Sequence, residues 1–304
     1  MRKALWAVAL VLLAAAWYFK LPALGYYWVN TRLASPDWVG RSVNLASYRA
    51  VVEGQVIEGL TRNTSGLTFN TATGTLFTVI NRPPQVAELS RDGRLLRLIP
   101  IEGANDPEGI THVDGDRYVI SDEDSHSLTW VSIDASTQRL SLKGQPRLEL
   151  GIDVVNNASF EGVSWDAVNG RLFVVKEKLP LRVLVMTGLQ EAMAGKGFAV
   201  SITEWKSASA STLFMSDLSS LTFHEPTGHL LLLSDESAMV VEYAPDGTPV
   251  SLLPLLRGLN GLRNKVPHPE GLALGADGAL YVLSEPNLFY RFEPRERPAW
   301  ASPR

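Results

Sequence analysis

Three glutamates share one local context: Glu108, Glu161 and Glu270 each stand directly before a glycine, at Gly109, Gly162 and Gly271. Serine takes the same place at Ser65, before Gly66, and at Ser219, before Ser220. Two residues upstream of these positions lie Asn63, Asp106, Ser159, Asp217 and His268. A third column, where the following strand should end, holds Asn81, Asp122, Glu177, Asp235 and Glu285, with Glu123 and Glu236 after two of its members. Carboxylates, amides, hydroxyls and an imidazole are hard donors. Carboxylates crowded a few ångströms apart raise one another's pKa and stay ionised only when a cation neutralises them. With oxygen donors and no thiols, Ca²⁺ is the first expectation, because it accepts 6–8 oxygens in loose geometry, with Mg²⁺ or Mn²⁺ behind it. The expected ligand set is Glu108, Glu161, Glu270, Asp122, Glu177, Asp235, Glu285 and Asp217. The competing reading is architectural: each Glu-Gly opens a strand, and its carboxylate caps backbone amides of a neighbour. Both stand at this level.

These columns exist only if the elements carrying them recur. From about residue 46 the sequence is a succession of short Val-, Leu-, Ile-, Phe- and Tyr-rich runs separated by turn signals such as Asp92-Gly93, Asp114-Gly115, Asp246-Gly247 and Asp277-Gly278. These Asp-Gly pairs predict hairpins with two-residue type I′ turns. One segment, Gly188 to Gly197, reads as a short helix or an irregular insertion. A unit of small residue, strand, turn and two further strands recurs at Gly66, Gly109, Gly162, Ser220 and Gly271, 43 to 58 residues apart. That period suits a four-stranded propeller blade. The expected fold is therefore all-β, a five-bladed β-propeller over residues 46–295. The strand near Tyr48–Ile57 should join the last blade and close the ring, which removes exposed edges. A six-bladed ring is the alternative, but it needs an interval about twice the observed period. In a closed ring the start of each first strand and the end of each second strand meet on one face, so the acidic columns converge on one mouth.

Composition narrows the partners. The chain has 304 residues, 45% hydrophobic and 20% charged, enough apolar material for a large core. The net charge of −4 offers no basic surplus, so no nucleic-acid partner is expected. There is no cysteine, which excludes disulfides, thiolate metal sites and thiol nucleophiles. Arg2-Lys3 precede an apolar run from Ala4 to Phe19, and the aromatic stretch Tyr26-Tyr27-Trp28 follows Lys20. This predicts one N-terminal transmembrane helix within residues 1–30, flanked by an interfacial aromatic belt. A signal peptide cleaved after Ala14-Ala15-Ala16 is the rival reading. Either of these exports the propeller, the first leaving it on the periplasmic side of the bacterial inner membrane as a single-pass protein, while a buried helix of a cytosolic protein is the third reading. Residues 31–45 read as a linker and 296–304 as a polar tail.

Nucleophile elbow, dinucleotide fingerprint, P-loop and HExxH zinc motifs are all absent from the sequence. His224 and His229 flank a turn and are expected to face solvent or each other, while His268 belongs to the mouth column. Arg82, Lys176 and Lys178 sit among the acids, as ion-pair partners or as anchors for an anionic group of a ligand. Asp122-Glu123-Asp124 reads as a solvated loop, since EF-hand spacing is missing.

Five blocks carry a family resemblance: SGLTFN from Ser65, DPEGITHV from Asp106, FEGVSWD from Phe160, LSSLTF from Leu218 and HPEGLAL from His268. Over roughly residues 45–295 the chain resembles the SdiA-regulated family of bacterial propellers. The resemblance implies a five-bladed propeller with a bound calcium ion, preceded by a membrane-anchoring segment. The serines at 65 and 219 would make any metal site asymmetric. Two functions compete: a membrane-anchored, calcium-binding module holding a small-molecule or protein ligand at the acidic mouth, and a metal-dependent hydrolase of the lactonase or esterase kind with His268 as base.

Overall fold

The computed structural model describes residues 2–18, 20–151, 160–178, 180–205, 213–296, 298 and 300–301. Ser159 of the upstream column and Phe19 of the apolar run lie outside them. Strand β1 (Tyr48–Val56) comes first and is held in reserve. The first blade follows as β2 (Thr64–Asn70), β3 (Thr75–Ile80), β4 (Gln85–Leu89) and β5 (Leu95–Glu102). The second contains β6 (Pro107–Asp114), β7 (Arg117–Asp122) and β8 (Ser127–Ser132). Here β9 (Leu140–Ser141) turns aside to add in parallel to β5, and β10 (Arg147–Glu149) completes the blade beside β8. The third is β11 (Phe160–Asp166), β12 (Arg171–Lys176), β13 (Arg182–Thr187) and β14 (Ser201–Glu204), with a five-residue helix at Leu189–Met193 before its last strand. The fourth is β15 (Ser220–His224), β16 (His229–Ser234), β17 (Met239–Tyr243) and β18 (Pro249–Pro254). The fifth has β19 (Pro269–Leu274), β20 (Leu280–Ser284) and β21 (Leu288–Pro294) from the C-terminal end, and β1 pairs antiparallel with β21 to supply its outer strand. The chain is a five-bladed β-propeller closed by its own first strand.

The second strand of each blade lies between two apolar interfaces, which explains runs such as Leu230-Leu231-Leu232-Leu233, buried throughout and without alternation. The core is divided accordingly. Leu76, Ala87 and Leu89 meet Tyr281, Leu283 and Phe289 across the junction of first and fifth blades, and comparable clusters fill the other four junctions. Each fully buried side chain of this kind contributes about 1.5–3 kcal/mol.

At the ring's centre the innermost strands β2, β6, β11, β15 and β19 touch their neighbours around the circle. The recurring glycine makes this contact possible. A Cβ on Gly109 would lie 2.5 Å from the Glu161 carbonyl oxygen, and one on Gly66 would lie 2.7 Å from that of Glu108. Gly162 meets Ser220 Cα in the same way.

The Asp-Gly turns differ from expectation. Gly93, Gly247 and Gly278 adopt positive φ, but their preceding aspartates do not. Each turn closes with a hydrogen bond between residues four apart, such as Ser90 N–H to Arg94 O at 2.9 Å. These are longer loops with a left-handed glycine, not two-residue type I′ turns. At Asp114-Gly115 the aspartate is the last residue of β6 and only the glycine enters the turn.

The N-terminal segment departs further. It forms two helices, α1 (Arg2–Tyr18) and α2 (Leu21–Leu33), inclined at 54°. No single described helix is long and apolar enough to cross a membrane, although the bent pair meets that condition by length and composition. Part of the expected aromatic belt docks on protein: the Tyr27 ring stacks on Phe214 at 4.4 Å, and Ala23 and Leu24 join the same cluster against the fourth blade. The stretch read as linker continues α2 to Leu33 and then buries Val43 and Leu45 in the core. Glu242 fastens it. This fully buried carboxylate accepts the Val43 N–H at 2.7 Å, the Asn44 N–H at 3.1 Å and the Ser251 hydroxyl at 2.5 Å. His229 Nδ1 lies 2.7 Å from the same carboxylate, so of the two expectations for His224 and His229 the solvent-facing one fails: both are buried, opposite each other on paired strands. Removing one member of such a network strands the rest without partners. Glu242→Ala should therefore cost about 3 kcal/mol, read as a lower urea midpoint at unchanged m-value.

Candidate metal centre

A β-bulge at the entrance of an inner strand decides where the repeated acid points. The register of β6 against β7 slips between Pro107 and Gly109, that of β19 against β20 between Pro269 and Gly271, and that of β11 against β12 between Phe160 and Val163. Glu108, Glu270 and Glu161 occupy those slips. A bulge re-aims a side chain that regular pleating would place elsewhere. Their side chains line a cavity of about 300 Å³ at one mouth of the channel, with Ser65 and Ser219 completing the ring. Glu177, Asp235 and Glu285, each just past the end of a second strand, join them.

Of the residues expected here, Glu108, Glu161, Glu270, Glu177, Asp235, Glu285 and Asp217 all line the cavity, and Asp122 does not. Asp122 is buried and accepts from the backbone N–H groups of Asn105 at 2.8 Å, Asp106 at 3.1 Å and Ser125 at 3.0 Å. Burial alone would raise its pKa. The Ser125 hydroxyl and these amides outweigh burial and hold the carboxyl below the ordinary range. It does the capping work that the architectural reading assigned to every acid. Asp217 is partly of this kind, accepting from Ser234 Oγ and from the Asp235 and Glu236 amides.

Glu123 and Glu236, which the sequence placed beside the third column, also line the cavity. Oxygens of Asp106, Glu108 and Glu123 come within 4.8 Å of one another, the spacing a shared cation needs. The signal for Asp106 was its place two residues before Glu108. The solvated loop expected at Asp122-Glu123-Asp124 holds only for Asp124, which is exposed: Asp122 is buried and Glu123 half-buried.

Few cations offset this charge. Lys178 Nζ lies 3.0 Å from Glu177 Oε1 and 2.8 Å from Glu236 Oε1, and Arg82 pairs with Asp106 at 3.3 Å from an exposed position. His268 Nδ1 lies 3.2 Å from Asp235 Oδ2 at the rim. Neutral donors also help: the Asn81 amide donates to Glu108 Oε1 at 2.9 Å, and Ser65 bonds the same carboxylate.

The remaining imbalance shows in the acid strengths. Burial, only partly offset by Asn81 and Ser65, and then repulsion from Asp106 and Glu123, push Glu108 up to about 7. Burial followed by Asp106 and Glu177 pushes Glu123 up to about 7. Burial, then Asp235, Glu285 and Glu108, push Glu270 up to about 9. Glu161 is raised well above the carboxylate range, by burial and then by Glu108, Glu123, Glu177 and Glu270 together. Glu161 thus feels acids of the second, third and fifth blades at once. Burial and mutual repulsion together favour the protonated forms of these groups.

Fold and site together define a β-propeller with an acid-lined channel mouth. By sequence the chain belongs to the SdiA-regulated family, whose model matches residues 40–293. Among solved structures it is similar to a luciferin-regenerating enzyme, at 14% identity and a TM-score of 0.53, over 83% of this chain and 98% of that one. It is also similar to the glutaminyl cyclase of Myxococcus xanthus, at 15% identity and a TM-score of 0.52, over 81% of this chain and 95% of that one. At such identities the likeness is one of fold.

The raised acids set a pH dependence whose sign is fixed. A carboxyl whose folded pKa lies above its unfolded value stabilises the fold fully below the unfolded value, near 4.5, and that contribution is lost as pH rises through the folded values of about 7 and about 9. In EDTA the thermal midpoint should fall by about 5 °C or more between about pH 5 and about pH 9. Glu161→Gln and Glu270→Gln should each flatten that slope in differential scanning calorimetry.

Proposed function

We propose that this protein is a membrane-anchored, exported propeller that binds a divalent cation, Ca²⁺ by preference, at its acidic mouth and presents that mouth to a small-molecule or protein ligand. The observation that carries the reading is the convergence of Glu108, Glu123, Glu177 and Glu270, from separate strand ends, on Glu161 in one cavity. The donor set suits the ion: all oxygen, unevenly spaced and more numerous than an octahedral ion needs. Asp106, Glu108 and Glu123 would form the nearest-spaced part of the site, with Glu161, Glu177, Glu270, Asp235 and Glu285 around it. Asp217 would contribute less, because amides and Ser234 already occupy it, and Asp122 leaves the set. The ion would neutralise the ring and leave open positions facing solvent, where an oxygen of a ligand can bind. Anchoring rests on α1, whose Leu5, Trp6, Leu10, Val11, Leu12 and Leu13 are all more than half exposed. An apolar surface of that extent on a short helix calls for lipid.

His268, exposed at the rim and held by Asp235, favours a second reading as a metal-dependent hydrolase, in which the cation polarises a carbonyl and the imidazole serves as base. Ester or lactone hydrolysis that persists unchanged in EDTA counts against it.

Calorimetric titration decides the main reading. Ca²⁺ should bind with release of protons, seen as a dependence of the heat on buffer ionisation enthalpy, and its affinity should rise with pH as the raised carboxyls ionise. The Glu108→Gln, Glu161→Gln double variant should weaken binding by more than about tenfold. Equal affinity in that variant, without proton release, would move the ion elsewhere.

A further inference from the structure

Two cavities adjoin along the side of α2 that faces the fourth blade, and Trp28, Leu252, Pro254 and Leu259 are walls common to both. The first, of about 430 Å³, starts at Leu21 and Leu24 of α2 and is closed by Met239 and Leu256. Its apolar surface is open to a ligand: Leu21 is 54% exposed, Leu256 41% and Leu259 38%. Of its polar side chains, Glu236 is paired with Lys178 at 2.8 Å, and Ser237 Oγ accepts the Ser216 N–H at 2.9 Å.

The second cavity, of about 400 Å³, is basic. Arg32 and Arg49 line it, and no aspartate or glutamate stands among its described lining residues, although acids outnumber bases in the chain by 32 to 28. The Arg32 guanidinium lies 4.0 Å from the centre of the Trp28 ring, is exposed, and makes no hydrogen bond or ion pair among the described residues. Arg49 Nη1 donates to the carbonyl oxygens of Ala46 at 3.1 Å and Tyr48 at 2.5 Å, while its Nε and Nη2 bond nothing among the described residues. Glu242, bonded to the lining Ser251, is already spent on the Val43 and Asn44 amides. Burial and then Arg295 and Arg32 weaken the hold of Arg49 on its proton, so these cations crowd one another with no carboxylate to answer them. Arginine forks of this kind match phosphate, to which they can donate two parallel hydrogen bonds.

An apolar compartment leading into a basic one fits an amphiphile with an anionic head. The order of the two compartments also fits. The apolar end begins where α2 follows α1, whose apolar side chains are exposed, and the basic end lies away from it. From Leu21 to Arg32 the helix advances about 17 Å, close to half of the ~30 Å hydrocarbon core of a bilayer. We infer that the groove beside α2 holds one anionic phospholipid, its acyl chain lying past Leu21, Leu256 and Leu259 and its phosphate meeting Arg32 and Arg49. A zwitterionic lipid fits less well, because its head brings a cation beside two arginines. The inference rests on the reading of α1 as a membrane anchor, which places the groove beside lipid, and it is independent of the metal.

The test uses the full chain in micelles of the neutral detergent dodecyl maltoside, titrated with dioleoyl phosphatidylglycerol and read by native mass spectrometry. Dioleoyl phosphatidylcholine and inorganic phosphate are the comparison probes. One phosphatidylglycerol per chain should bind saturably, about tenfold more tightly than phosphatidylcholine. Arg32→Gln and Arg49→Gln should each weaken it by about tenfold, the loss of one charge-assisted hydrogen bond. Arg32 is exposed, so its variant keeps the test available if Arg49→Gln fails to fold. Leu256→Gln should weaken phosphatidylglycerol and leave inorganic phosphate unaffected. Equal binding of the two lipids, unchanged phosphatidylglycerol affinity in Arg32→Gln, or displacement of the lipid by an equal concentration of inorganic phosphate would each overturn the inference. Anchoring is read separately, by flotation of the chain with phosphatidylcholine vesicles. Flotation without a preference for phosphatidylglycerol defeats the lipid site alone, whereas failure to float defeats the anchor and the site together.

Discussion

The structure depends on how closely five inner strands can approach around one axis. Neighbouring backbones at the channel mouth are near enough that a methyl group on Gly66, Gly109 or Gly162 would collide with the next blade. The residues before Gly109, Gly162 and Gly271 are carried into the same narrow space by a bulge. All three are glutamates, so three charges are forced together whatever the rest of the sequence does. Close packing of backbone thereby creates an electrostatic problem at one rim, and the acid strengths of Glu108, Glu161 and Glu270 measure its size.

Not every acid near the rim shares in that problem. Asp122 and Asp217 occupy related places, yet both are largely consumed by backbone amides and a serine hydroxyl. At Asp122 these bonds outweigh burial, whereas Asp217 is still raised by burial and by Glu236 and Asp235. Glu161 has no such shelter, so its charge must be met by protons or by an ion. The distinction between an acid that builds a turn and one that awaits a counter-ion is a matter of two or three hydrogen bonds.

The N-terminal segment packs against one side of the ring. Its first helix exposes apolar residues, while its second lays Leu24 and Tyr27 on the fourth blade. Glu242 then clamps Val43 and Asn44, just ahead of the strand that closes the ring. Helices, clamp and closing strand follow one another without slack, and this fixes the fourth blade as the side nearest the helices.

Blade number, ring closure and the convergence of acids on one mouth were all legible in the sequence, because a repeat of small residue and strand obeys a period that the backbone must respect. Residue type and spacing likewise marked Glu108, Glu161, Glu270, Glu177, Asp235 and Glu285. Tertiary structure alone decided which acids line the channel mouth. Asp122 and Glu123 are adjacent, yet one faces a loop's amides and the other the channel, since side chains alternate and the end of β7 turns. His229 and Glu242, thirteen positions apart on paired strands, showed no sign of meeting until those strands were set in register. The groove beside α2 was invisible for a similar reason: Trp28 read as part of an aromatic belt and Arg49 as part of the closing strand, and only the fold brings them to one cavity. Periodicity is a local property of the chain, whereas the partner of a buried polar group is set by whichever distant segment the fold places against it.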